Sequence, residues 1–165
     1  MSTSDSPSSH LFDAPHERDA QHLPPRLIET AEDFNALGER DRLQLLLEFA
    51  DELPELPERY RDDPDLLEPV PECQSPVFLK VDVDGDTVHP HVTAPREAPT
   101  TRGFASILVQ GLDGESVQQV LDVPSDYPFE LGLARAVSPL RLRGMTGILE
   151  RIKAQVRRRI AERDA

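Results

Sequence analysis

Residues 75–93 read SPVFLKVDVDGDTVHPHVT, and this stretch limits the possible folds more than any other. Val77, Leu79, Val81 and Val83 alternate with Phe78, Lys80 and Asp82, the period of a half-buried β-strand. The DGD that follows supplies a tight turn. With Gly85 and Asp86 as the two central turn residues, Val83 faces Val88, Val81 faces Pro90 and Leu79 faces Val92. Every apolar side chain then falls on one side. A slip of one residue sets Val81 against His89 and loses that order, so the first register is preferred. Pro90 has no N–H to give to a ladder. The second strand must therefore lie at a sheet edge or turn its N–H side outward.

Helices are needed to cover this hairpin. In LPPRLIETAEDF, Thr30 with Asp33 three residues on resembles a capping box, and Gly38 closes a first short helix. ERDRLQLLLEFADEL reads as a second, with Leu43, Leu46, Leu47, Ala50 and Leu53 on one stripe and Pro54 and Pro57 stopping it. Residues 54–72 carry five prolines and many acids, and no periodicity survives in them. They read as a loop leading up to Cys73. After the hairpin, Pro99 suits a first helical turn, and Phe104, Ile107, Leu108 and Leu112 share a face. Gly103 is unfavourable there by about 1 kcal/mol against Ala, which points to a close backbone approach. ESVQQVL and PFELGLARA read as short helices. In the last helix Ser138 is the N-cap and Pro139 takes the first position. Met145, Ile148, Leu149, Ile152, Val156 and Ile160 form its apolar stripe. The expected class is α+β: a small antiparallel sheet packed against several helices on one face. Residues 1–22 are polar and read as a disordered tail, leaving residues 23–165 as one domain.

The net charge of −13 argues against nucleic-acid binding, because phosphate repels an acidic surface. The charge is uneven. Residues 1–72 hold 19 acids against 6 bases, whereas residues 135–165 hold 9 of the 18 bases. The arginine run Arg157, Arg158 and Arg159 reads as a solvated helix face or as a patch for RNA or an acidic partner. No apolar run approaches the ~20 residues that span a bilayer, so no membrane partner is expected. The first residues lack a basic start followed by an apolar stretch, and one cysteine cannot form an internal disulfide. Both features favour a reducing, cytoplasmic setting.

Few residues here could carry chemistry. His89 and His91 are two apart on a strand and share a face, but two ligands do not close a zinc site. Extending the hairpin ladder sets Cys73 opposite Ala98, about 20 Å from His91 along the strand. The two therefore read as surface histidines, and no metal or cofactor site is expected. His10, His16 and His22 lie in the tail, so a cysteine hydrolase has no placed base. Cys73, the only cysteine, remains. It can be a small packed residue, or it can be a thiol presented from a proline-rich approach where side chains tend to be exposed. Glu72, Glu68 and Asp65 are near it in sequence and would raise its pKa.

At ECQSPVF the chain resembles the SufE family, sulfur acceptors in iron–sulfur cluster assembly. CQSPVFLKVDVDGD looks like the family's Cys-Gln-Ser motif opening the first strand. APTTRGFASILVQGL looks like its Arg/Lys-Gly helix, and VSPLRLRGMTGILERIK like its final Ser/Thr-Pro-x-Arg-x-x-Gly helix. The likeness runs over about residues 26–160. It implies a fold like the NifU/IscU scaffolds. It also implies that a persulfide sulfur passes from a pyridoxal-phosphate-dependent cysteine desulfurase to Cys73 and on to an Fe–S cluster scaffold, with the desulfurase stimulated. In this resemblance Cys73 matches the acceptor, Gln74 and Ser75 its neighbours, and Arg102 and Arg141 the basic positions that meet a partner. Glu72 stands where the family often has Gly, which implies a loop less free to swing. A non-covalent adaptor that activates a partner enzyme is the competing reading.

Overall fold

The computed structural model describes residues 23–165; the expected tail, residues 1–22, lies outside them. Helices α1 (Pro25–Asn35), α2 (Glu39–Asp51) and the short α3 (Glu58–Asp62) precede the sheet. Strands β1 (Glu68–Pro69), β2 (Phe78–Asp84) and β3 (Thr87–Thr93) follow. Then come α4 (Pro99–Leu112), α5 (Val117–Leu121), a 3₁₀ turn (Tyr127–Leu131) and the long α6 (Pro139–Asp164).

The hairpin has the register expected from its apolar pattern: Val83 pairs with Val88, Val81 with Pro90 and Leu79 with Val92. Gly85 takes φ 63°, and no other residue of the turn has a positive φ, which suits Gly at the first central position. The strand order is β1-β2-β3, so Pro90 lies on an edge strand. The row facing outward from β3 is partly covered: Val88 N–H donates to Glu115 O, and Val88 O accepts from Gly114 N–H. The inner face of the sheet, with Leu79, Val81, Val88 and Val92 buried, packs on α4 and α6. Helix α4 is buried nearly all round, because α1 and α2 cover its other side. A Cβ at Gly103 would strike the backbone carbonyl of Leu46, so this glycine is where α2 and α4 come closest, as its position in the sequence suggested.

Several sequence expectations change. Helix α1 starts at Pro25, five residues before the capping box read at Thr30. Thr30 lies inside the helix, where its hydroxyl donates to Arg26 O (2.7 Å). PFELGLARA contributes a 3₁₀ turn closed by Gly132 rather than an α-helix. Residues 54–72 are not a plain loop, since they hold α3, a 3₁₀ turn and β1. Their order comes from side chains rather than periodicity. Tyr60 is buried, and its hydroxyl donates to Asp82 Oδ1 (2.5 Å) on the outer face of β2. Arg59 pairs with the same carboxylate, and His91 Nε2 lies 2.9 Å from it. His91 is thus held under α3 rather than being a free surface histidine.

Strand β1 is only two residues long, so most of the outer edge of β2 lacks a strand. Gln155 of α6 fills the gap. Its Oε1 accepts from Val81 N–H (2.7 Å), and its Nε2 donates to Leu79 O (3.3 Å) and to Glu68 Oε1 (2.8 Å). A side-chain amide therefore stands in for a peptide group of a missing neighbour strand. Replacing it with Met keeps the volume but leaves a buried N–H and C=O without partners. The expected loss is about 2–4 kcal/mol in urea unfolding followed by circular dichroism, against little change for Arg157→Gln on the exposed face.

Candidate functional site

The site starts from the connection between β1 and β2. Val70 and Val77 are buried in the core, and Val70 N–H donates to Val77 O (2.9 Å), closing the base of a loop. Inside it, Cys73 N–H donates to Val70 O (3.1 Å). The ladder of β2 ends at Phe78–Thr93, so Cys73 lies on this loop and does not continue the strand opposite Ala98. The chain turns back at Val77 because both ends of the loop are anchored by apolar side chains.

The loop lies on α6 where that helix has no side chains. A Cβ at Gly144 would be 3.2 Å from Cys73 Sγ, and one at Gly147 would be 2.7 Å from Glu72 Cβ. Two glycines three apart make a shallow seat on one helix face. Cys73 Sγ–H donates to Gly144 O (3.4 Å), a carbonyl of the helix itself. The thiol is half-buried, packed against the core. Gln74 is exposed and Ser75 is partly buried.

A hollow of about 90 Å³ opens beside the sulfur. Cys73, Gln74, Ser75, Thr100, Arg141 and Gly144 line it, together with Glu97, Ala98 and Leu140. Arg141 reaches over from the first turn of α6, and its Nη1 donates to Thr100 Oγ1 (3.1 Å) at the start of α4. Ser138 caps that helix by accepting from Arg141 N–H (3.3 Å). Four of the five residues singled out from the sequence, Cys73, Gln74, Ser75 and Arg141, therefore meet at one place. Arg102 does not join them. Its Nε donates to Ala50 O (3.0 Å) and its Nη1 to Ala94 O (2.7 Å), tying the end of α2 to the segment after β3.

Sequence reasoning did not single out Gly147, Thr100 or Arg151, and met Gly144 only as the closing Gly of the final helical motif. The two glycines inside a 26-residue helix were the available signal, because glycine is a poor helix former unless something must come close. Arg151 completes the seat: Nη2 donates to Glu72 Oε1 (3.0 Å) and Nη1 to Glu68 Oε2 (3.1 Å). Arg158 adds a bond to Glu68 Oε1 (2.7 Å). Part of the basic end of the chain thus faces an acidic segment of the same chain.

Burial, and then the negative charge of Glu72, push the Cys73 thiol from an ordinary 9.0 up to about 11. The sequence pointed to neighbouring acids first, but burial is the larger cause. Glu68 is occupied by Gln155, Arg151 and Arg158. Arg151 also holds the Glu72 carboxyl below its usual range. Among the described residues no group of three or more His, Cys, Asp or Glu is placed to hold a metal ion. None of their helices is long and apolar enough to cross a membrane.

The folded state holds the thiol proton more tightly than the unfolded chain does. Stability owed to Cys73 is therefore intact below pH 9.0 and falls as pH rises toward about 11. At about pH 8 the native protein should alkylate with iodoacetamide roughly 100-fold more slowly than the urea-unfolded chain, and its rate should still climb where the unfolded rate has levelled. Stopped-time mass spectrometry measures both.

Comparison with known proteins identifies the family. The family model described as "SufE: Fe-S metabolism associated domain" matches residues 28–156. An uncharacterized SufE-like protein of Mycobacterium tuberculosis is 54% identical over 136 residues, 82% of this chain and 94% of that protein. The SufE-like protein 1 of Arabidopsis thaliana, chloroplastic/mitochondrial, is 29% identical over 152 residues, 90% of this chain but 38% of that longer protein. The solution structure of a hypothetical protein from Thermus thermophilus superposes with a TM-score of 0.75 at 41% identity, covering 84% of this chain and 98% of the other. With the family model spanning Cys73, its glycine seat, α4 and α6 as far as Val156, the chain belongs to the SufE family of Fe–S metabolism associated domains.

Proposed function

We propose that Cys73 is a sulfur acceptor. It takes the outer sulfur of a persulfide on a pyridoxal-phosphate-dependent cysteine desulfurase and relays it to an Fe–S cluster assembly scaffold. The observation that carries this reading is the placement of the chain's only thiol. It sits in a loop held at both ends, beside a hollow with room for a further atom and with Arg141 and Thr100 on its wall.

In the transfer, the Cys73 thiolate attacks the outer sulfur of the donor persulfide. The new S–S bond forms on Cys73 as the donor's S–S bond breaks, and the donor leaves as a thiolate. Nothing is oxidised or reduced overall. The thiol proton must leave first, and with burial and Glu72 both opposing ionisation it stays in place at rest. A base at the docked partner removes it. Gln74, Ser75, Leu140 and Arg141 form the rim that such a partner meets. Arg141 carries a fixed positive charge at that rim, suited to a persulfide anion. Arg102 enters this reading as a brace for residues 94–98, which end at the wall of the hollow, and through them for partner binding. The lone thiol has no second cysteine beside it to expel the sulfur as an internal disulfide.

Incubation with a cysteine desulfurase and cysteine should add one or two sulfur atoms, ~32 Da each, by intact-protein mass spectrometry. Cys73→Ser should gain none and should lose the stimulation of desulfurase turnover. Full stimulation by Cys73→Ser would instead assign the protein the role of a non-covalent adaptor.

A further inference from the structure

We infer that Glu72 and Arg151 are positioning residues whose ion pair, seated over Gly147, governs how readily Cys73 leaves its resting place on α6. This rests on the reading of Cys73 as the acceptor and adds which residues control its access.

The thiol itself is weakly held. Its bond to Gly144 O is 3.4 Å long, and sulfur is a poor donor. The residue before it is held much more firmly. Glu72 Cβ and Cγ occupy the space that a Cβ at Gly147 would fill. Its carboxylate takes the guanidinium of Arg151 from two nitrogens, Nη2 at 3.0 Å and Nε at 3.5 Å. The third nitrogen of the fork is on Glu68, which Gln155 and Arg158 also hold. Arg151 is therefore fixed from the side away from Cys73. A bidentate arginine so fixed restrains a carboxylate more than a free surface lysine does. Cys73 cannot move out along the helix face without dragging Glu72 off Gly147 and Arg151.

Charge and geometry make opposite predictions for one substitution. Arg151→Gln leaves Glu72 in place but no longer neutralised. If Glu72 acted only by its charge on the thiol, Cys73 would become less reactive. If the pair restrains the loop, Cys73 becomes more reactive.

The experiment is alkylation of the full chain by iodoacetamide, an uncharged reagent, with amide hydrogen exchange of residues 70–77 in parallel. Arg151→Gln should alkylate about two- to fivefold faster, the factor equivalent to ~0.5–1 kcal/mol for a partly exposed ion pair. Arg151→Lys should lie between the two, and the Cys73 amide should exchange faster in step. Gly147→Ala keeps both charges but removes the space for Glu72. It should also speed alkylation, although alanine favours the helix. If Arg151→Gln reacts no faster than the parent, or more slowly, the proposal is overturned. Should that variant unfold, Gly147→Ala decides by the same comparison. No desulfurase takes part, so a failure here is separate from a failure of Cys73→Ser to lose sulfur relay.

Discussion

One stripe of helix α6 organises the half of this protein that carries Cys73. Gly144, Gly147, Arg151, Gln155 and Arg158 follow at intervals of three or four and so share a face. Along that face the helix first offers bare backbone to Cys73 and Glu72. It then offers a guanidinium to Glu72 and Glu68, an amide to the open edge of β2, and a second guanidinium to Glu68. The neighbouring stripe, from Met145 to Val156, is buried in the core. Packing that core therefore fixes the height and rotation at which the polar stripe meets residues 68–81. The loop that carries the thiol inherits its position from the core without needing a strand of its own.

This arrangement accounts for a thiol that is both central and quiet. Burial opposes its ionisation, the Glu72 charge adds to that, and a helix carbonyl accepts a hydrogen bond from the thiol. Such a group reacts poorly with small oxidants and electrophiles in solution, because the reactive form is scarce. The surroundings are nonetheless prepared for an anion. Arg141 is held on the rim by Thr100, with its charge permanently available. On the proposed reading, a site built this way separates storage from reaction, and leaves the change between them to the partner that docks.

The hairpin register was legible because a two-residue period, a glycine turn and a proline each excluded the alternatives. The last helix was legible from its cap and its apolar stripe. The likeness around Cys73 led to four residues that do meet in space. The segment from residue 54 to 72 was not legible. Its order depends on Asp82 gathering Tyr60, Arg59 and His91, and on Glu68 reaching a helix some ninety positions away. No local pattern encodes such pairings. Extending the β2 ladder back to Cys73 failed for a related reason: the apolar pair Val70 and Val77 closes a loop there, and alternation alone does not mark where a strand stops.

Gln155 has a consequence for what lineages of this protein can tolerate. Because its amide reads the backbone of β2 while Gly147, two turns earlier, receives the loop, the spacing between them is a fixed phase. Inserting or deleting one residue in that stretch rotates one contact against the other by about 100°. An exposed side chain such as that of Ala154 can change there, but the length of that stretch cannot. Beyond Arg158 the helix still packs Ile160 against the core and reaches the hairpin turn through Arg163, whose guanidinium donates to Gly85 O, so the same phase runs on almost to the end of α6.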